Sequence, residues 1–492
     1  MRHLQVHLHL HLHLHRLALL IALALAAQTH AHAQAAQITP FKASPPLSFE
    51  LKNAQWFDGQ GFKRGTLYVE RGVFTAAKPK RVNRRMNLKK QFLIAPLAEA
   101  HNYNLQNDWG VTHNAQRYLS DGVFYAAMLC GEPDGVDPVR ERLNGPDSPD
   151  VLFVTACVTS TDGQPLGALL ASAPGKKVAD FADKAVLLID RPDDVERKWP
   201  LIARRGTDAV KLVLSHTELP ELHGRPEWVG RLGMTPDTAF ALVAKAHKAG
   251  LRVIAHVDTA ADFDAAVRAG ADWIAHLPGT VNLLNEPAEL FEKRFLIASG
   301  SAQLAARHKT AVITATASSA LFMMTPATLT ALRQVQVRNL QTLKAAGVAL
   351  LLGSDVFTDT ALIELRELAA TQVFSPAELL KIATIDTPRA LFPKRSLGCF
   401  EPGCEASFLL LATDPLQDLG RLTPLLRVKQ GRLLTQAGDV ADASEVALAD
   451  IPKLGSKPAK QNKSKSKTST RSKSKSKSQS KSPRKITAKT GQ

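Results

Sequence analysis

Between residues 233 and 276 the chain reads "GMTPDTAFALVAKAHKAGLRVIAHVDTAADFDAAVRAGADWIAH", and this rhythm limits what the chain can fold into. Thr235 is a helix N-cap, Pro236 suits the first helical position, and Gly250 is a terminator. An apolar strand follows ("LRVIAH"), then a second helix ("AADFDAAVRAG") and a second strand ("ADWIAH"). Continuous apolar strands alternating with helices imply a parallel sheet covered on both faces. An open doubly wound sheet and a closed barrel both satisfy the rhythm. The chemistry at the strand ends favours the barrel.

At 492 residues the chain exceeds one average domain but accommodates a barrel of about 250 residues with an accessory domain. The formal charge of +17 suggests nucleic acid until it is located. Fourteen Lys and Arg lie from Lys453 onward without one acid, leaving +3 for everything before. The segment "KSKSKTSTRSKSKSKSQSKSPRK" cannot bury enough surface to offset the cost of ordering it, so a disordered tail is expected over 441–492. At the other end, Arg2 and Arg16 flank a His-Leu run, followed by apolar Leu17–Ala27 and "AHA" at 31–33. That order is a secretory signal over 1–33, because an apolar run this short falls well below the roughly twenty residues that span a bilayer. An exported chain, periplasmic or secreted, is expected. Its tail would then either merely solvate the chain or meet anionic envelope polymers or lipid head groups, rather than nucleic acid. Cys130, Cys157, Cys399 and Cys404 match no zinc-knuckle spacing, and disulfides are permitted after export.

Three apolar strands stop at the same dipeptide: Ala100-His101, Ala255-His256 and Ala275-His276. A fourth, "GVALLLGSD", stops at Asp355, and "DAVKLVLS" carries Lys211 inside an apolar run. In an α/β barrel the C-terminal strand ends form one rim, fed by strands far apart in sequence. A lone strand-end histidine is ordinary. Imidazoles, a carboxylate and an amine at successive strand ends suit a hydrolytic metal site.

In order and spacing, "LIAPLAEAH", "VKLVLS", "AHKAGLRVIAHV", "AVRAGADWIAHL", "LLLGSD" and "SPAELLKIATIDTPRALF" resemble the amidohydrolase superfamily of metal-dependent hydrolases. The resemblance spans about 49–433 and is nearest the imidazolonepropionase- and prolidase-like branch. It implies a (β/α)8 TIM barrel over 93–395, with a small β-sandwich built from both flanks, 34–92 and 396–440. It implies a divalent metal, zinc by the share of imidazole, one or two ions per chain. His101 would bind the first ion, a carboxylated Lys211 would bridge, and His256 and His276 would bind the second. Asp355 would bind the first ion and shuttle the proton as general acid/base. The expected activity is hydrolysis of C–N bonds in a non-peptide amide, cyclic amide or dipeptide-like substrate.

The chain departs from the pattern where it matters chemically. The family's His-x-His is His101-Asn102-Tyr103 here, its usual Asp is Glu99, and Ser407 stands where a closing Asp is expected. A phenol is a poor metal ligand unless the metal deprotonates it. Three readings follow: one metal and ordinary hydrolysis, two metals with Tyr103 as ligand or substrate contact, or a catalytically impaired envelope binding protein. His113 reads as a helix-surface residue. His216, His223 and Arg225, in "HTELPELHGRPEWVGR", read as solvated loop residues over the site.

Overall fold

Eight parallel strands form the centre of the computed structural model, which describes residues 39–280, 286–322 and 324–436. They are β1 (Leu97–Asn102), β2 (Val123–Leu129), β3 (Asp150–Val154, continued by Ala156–Thr159), β4 (Ala209–Val213), β5 (Arg252–His256), β6 (Trp273–Ala275), β7 (Ala311–Ile313) and β8 (Leu350–Leu351). Each pairs in parallel with the next, from β1 to β8. The ring closes between its ends: Ala100 N–H donates to the Leu352 carbonyl at 2.7 Å, and Asp355 N–H donates to the His101 carbonyl at 2.8 Å. A short strand, Leu187–Leu188, pairs with the stretch of β3 that β2 does not reach. The fold is the expected TIM barrel.

Local sequence explains the elements. Nearly every strand residue is buried, which is why the strands read as unbroken apolar runs rather than alternating ones. Helix Pro236–Lys248 is capped by Thr235, whose hydroxyl accepts from Thr238 N–H. Helix Ala260–Ala269 begins in a capping box, Thr259 with Asp262, and ends at Gly270 in the left-handed conformation that glycine adopts without a Cβ clash. The disulfide Cys130–Cys157 ties the end of β2 to β3.

A nine-stranded sheet draws on both sides of the barrel segment. Phe49–Phe57, Phe62–Glu70 and Phe92–Ile94 precede the barrel in the chain, whereas Phe408–Leu411, Pro424–Lys429 and Arg432–Gln436 follow it. Phe49, Phe74, Phe400 and Phe408 form its aromatic core. Ser407 sits at a turn of this sheet, donating to Glu405 and accepting from Gln430 N–H, away from the barrel mouth. Lys429 is buried but fully partnered: its ammonium donates to the carbonyls of Gly145 and Ser148 and to Asp150 at the start of β3. That link fastens sheet to barrel. Cys399 and Cys404 form a second disulfide. The expected export signal, 1–33, and basic tail, 441–492, lie outside the described residues. No described helix is long and apolar enough to cross a membrane.

Candidate active site at the barrel rim

β1, β6 and β8 deliver His101, His276 and Asp355 to one point, where one ligand atom from each lies within 4.8 Å of the others. Nε2 of His101 is 3.7 Å from Asp355 Oδ1, and Nε2 of His276 is 3.7 Å from Asp355 Oδ2. The His276 ring lies 4.7 Å from both the His101 and the His256 rings. Lys211, on β4, is buried, and its ammonium has no hydrogen-bond partner. The three strand-end histidines and Asp355 therefore converge, with Lys211 close enough to act on His101 and Asp355 electrostatically.

Reaching this point bends the backbone into the left-handed region at non-glycine residues: His276 (φ 78°), Asp355 (φ 51°) and His216 (φ 56°). Each such residue costs on the order of 1–2 kcal/mol and persists only where its surroundings over-determine it. Here backbone bonds do so. His276 N–H donates to the Ile313 carbonyl at 3.1 Å, Asp355 N–H to the His101 carbonyl, and His216 N–H to Asp262 at 3.0 Å.

Buried carboxylates serve as clamps around the rim. Glu99, on β1, accepts from the N–H and hydroxyl of Ser354, the residue before Asp355. Asp262 accepts from the N–H groups of His216, Thr217, Asp258 and Thr259, so one side chain holds the loops after β4 and β5 together. Glu364 accepts from Thr316 and Ala317 and holds the loop after β7. Asn102 donates to Ser354 and to the Val356 carbonyl. None of these clamps was expected from sequence. Asp262 was traceable as the third residue of a capping box, and Glu99 as a departure from the family pattern.

Burial sets the charge states. It pushes His101 and His276 well below the ordinary histidine value, helped by Lys211 and the neighbouring imidazoles, so both rings are neutral and able to bind a cation. Burial raises Asp355 to about 7 against the opposing pull of Lys211 and His256. It lowers Lys211 to about 7 against the opposing pull of Asp355. Tyr103 is held well above the ordinary phenol value, by burial first and by Asp355 second, and is therefore a neutral hydroxyl.

That hydroxyl lies 3.2 Å from His101 Nε2, and the Tyr103 ring stacks on Phe357 at 5.3 Å. His113 stays on its helix, with Nδ1 2.7 Å from the Trp109 carbonyl oxygen. One expectation is corrected. His216 is not a solvated loop residue: it is 3% exposed, with Nδ1 3.5 Å from an Arg294 nitrogen. The tight turn after β4, pinned by Asp262, folds it inward. His223 is held by Asp162, and Arg225 is exposed.

The donor set suits a divalent cation. Nδ1 of His101, Nδ1 of His276, Nζ of Lys211 and Oδ1 of Asp355 are buried without hydrogen-bond partners, a state that costs about 1–3 kcal/mol per group. Neutral imidazole and carboxylate are the ligand types such an ion takes. Cys399, Glu401 and Cys404 also cluster, but both sulfurs are committed to a disulfide.

Residues 229–439 match the Amidohydrolase family. The match takes in strands β5 to β8 and the later strands of the nine-stranded sheet. Ochratoxinase of Aspergillus niger is 27% identical over 236 residues, 47% of this chain and 46% of that protein, so the chain spans about half the length of the curated relative it matches. Among solved structures, A. niger ochratoxinase superposes with a TM-score of 0.61 at 18% identity, over 79% of this chain and 96% of that one. A Xaa-Pro dipeptidase with bound methionine does so with a TM-score of 0.61 at 15% identity, over 79% and 100%. Molinate hydrolase gives 0.61 at 15%, over 84% and 99%. These likenesses carry the amidohydrolase fold.

Proposed function

We propose that this protein is an exported, metal-dependent hydrolase of C–N bonds in a non-peptide amide, cyclic amide or dipeptide-like substrate. The observation that carries the reading is the convergence of His101, His276 and Asp355 on one point, beside the unpartnered amine of Lys211. The names of its relatives, ochratoxinase and Xaa-Pro dipeptidase, lean the same way. Two disulfides fit an oxidising compartment, periplasmic or extracellular. The Lys/Ser-rich tail would hold the protein to anionic envelope polymers or lipid head groups.

His101, His256, His276 and Asp355 would hold a divalent ion, zinc by the share of imidazole, with Lys211 as a further ligand once carboxylated. When bound, such an ion lowers the pKa of water and polarises a carbonyl. Lys211 is suited to carboxylation, since only a neutral amine adds to carbon dioxide and burial lowers its pKa toward neutrality. Asp355, raised to about 7, is poised to take a proton at its carboxylate near neutral pH and return it to a leaving nitrogen. Glu99 and Ser354 keep that carboxylate in place.

Metal content and turnover of the chain beginning after Ala33, on a panel of dipeptides, N-acyl amides and cyclic amides, test the proposal. Bound divalent metal with turnover of any of these supports it. Absence of both would end it and leave the second reading, an envelope binding protein, which the Tyr103 hydroxyl beside His101 Nε2 favours.

A further inference from the structure

Asp258, two residues beyond the end of β5, was singled out by no sequence motif, and its carboxylate contacts the His256 imidazole. Its Oδ1 lies 3.2 Å from His256 Nε2. Its Oδ2 accepts from Gln164 Nε2 at 2.7 Å and from the Ser215 hydroxyl. Gln164 also donates to Ser215 Oγ at 3.0 Å, so the two donors are chained and both converge on the same carboxylate oxygen. The Asp258 side chain is 3% exposed, and its backbone N–H is fixed by Asp262.

An ionised carboxylate only accepts hydrogen bonds. A carboxyl is more acidic than an imidazolium, and Asp258 already accepts two hydrogen bonds at Oδ2, so the proton in the 3.2 Å contact belongs to His256. Facing an acceptor, His256 must therefore donate from Nε2. A neutral imidazole that carries its proton on Nε2 is bare at Nδ1.

We propose that Asp258 is a positioning residue that fixes the tautomer of His256 by accepting its Nε2–H, leaving Nδ1 as the nitrogen open to a metal ion. Metal-binding histidines are commonly oriented this way, by a carboxylate on the second ring nitrogen. The tautomer stands on geometry alone. Its use in metal binding rests on the hydrolase reading above.

The asymmetry around Asp258 makes the proposal sharp. In Asp258→Asn, Gln164 and Ser215 still point their donors at one position, so the amide oxygen settles there and the NH2 group faces His256. His256 must then accept at Nε2 and carry its proton on Nδ1. The substitution preserves shape and inverts the tautomer.

The test is a long-range 1H–15N spectrum of metal-free, 15N-histidine-labelled protein, with the His256 signal identified by its loss in His256→Gln. The expected result is an Nε2–H tautomer in the wild type and an Nδ1–H tautomer in Asp258→Asn. Ser215→Ala, which removes one donor but keeps the carboxylate, should retain the wild-type tautomer. An Nδ1–H tautomer in the wild type overturns the proposal without needing any variant to fold, and so does an unchanged tautomer in Asp258→Asn. Zinc affinity, measured by chelator competition on the same proteins, should fall about 10–100-fold in Asp258→Asn. An inverted tautomer with undiminished zinc affinity overturns the role in metal binding while the tautomer assignment stands. Failure of the wild type to bind zinc would instead count against the hydrolase reading.

Discussion

The hydroxyl of Tyr103 lies 3.2 Å from Nε2 of His101, the position where the family pattern places a second imidazole. A neutral phenol there offers His101 a hydrogen-bond partner in place of a shared cation. It leaves the β1 end with one imidazole instead of two.

Metal stoichiometry should report that exchange. Purified protein dialysed free of loose metal is expected to hold about one divalent ion per chain, and Tyr103→His about two. Elemental analysis of both proteins is sufficient. A wild type that already holds two would show that the phenol does not empty the first position.

Replacing Asp355 with Asn should lower turnover of any accepted substrate by about 10²–10⁴-fold, the usual scale for a general acid/base. The buried carboxyl already sits near neutrality, so its loss should leave the melting transition near that of the wild type. Turnover that survives the substitution would remove Asp355 from the proton path.

Glu364 supplies a pH signature away from the proposed chemistry. Burial raises its carboxyl to about 7, against the opposing pull of neighbouring Thr314 and the hydrogen bonds from Thr316 and Ala317, above its ordinary value of 4.5. Between those values the folded chain keeps a proton that the unfolded chain has released, so stability falls as pH rises and levels off above about 7. The slope is at most about 1.4 kcal/mol per pH unit. Urea unfolding of wild type and Glu364→Gln across this window should show the variant's profile flatter by that contribution. Parallel profiles would refute the assignment.

The Cys130–Cys157 disulfide closes a loop with a sequence separation of 27. Cross-links of this size stabilise by about 2–4 kcal/mol. Cys130→Ala/Cys157→Ala should shift the urea midpoint down accordingly. An unshifted midpoint would show that the reduced, unfolded chain gains little freedom.

Much of the barrel could be read from sequence because its signals are local. Helix Pro236–Lys248 announces itself through Thr235 and Pro236, and the histidines close unbroken apolar strands. The candidate residues His101, Lys211, His256, His276 and Asp355 caught the eye for the same reason: polar groups ending or interrupting apolar runs stand out. What escaped was whatever depends on two distant segments at once. Nothing in "GSD" says that Asp355 takes a positive φ, because the bond that holds it comes from His101 across the ring closure. No local signal marks Asp258, since its partners Gln164 and Ser215 arrive from the loops after β3 and β4. His216 was misjudged because its burial is decided by Asp262, on another element.

The two hydrogen bonds that close the ring, Ala100 to Leu352 and Asp355 to His101, bring consequences for a chain emerging from its N-terminus. Residues 101 and 355 belong to the first and last barrel strands, so His101 waits through almost the whole of barrel synthesis before Asp355 reaches it. A nascent or truncated chain ending short of Leu352 has the histidines and the lysine but lacks the seam that joins them to a carboxylate. Completion of the barrel and assembly of the candidate site are therefore one event.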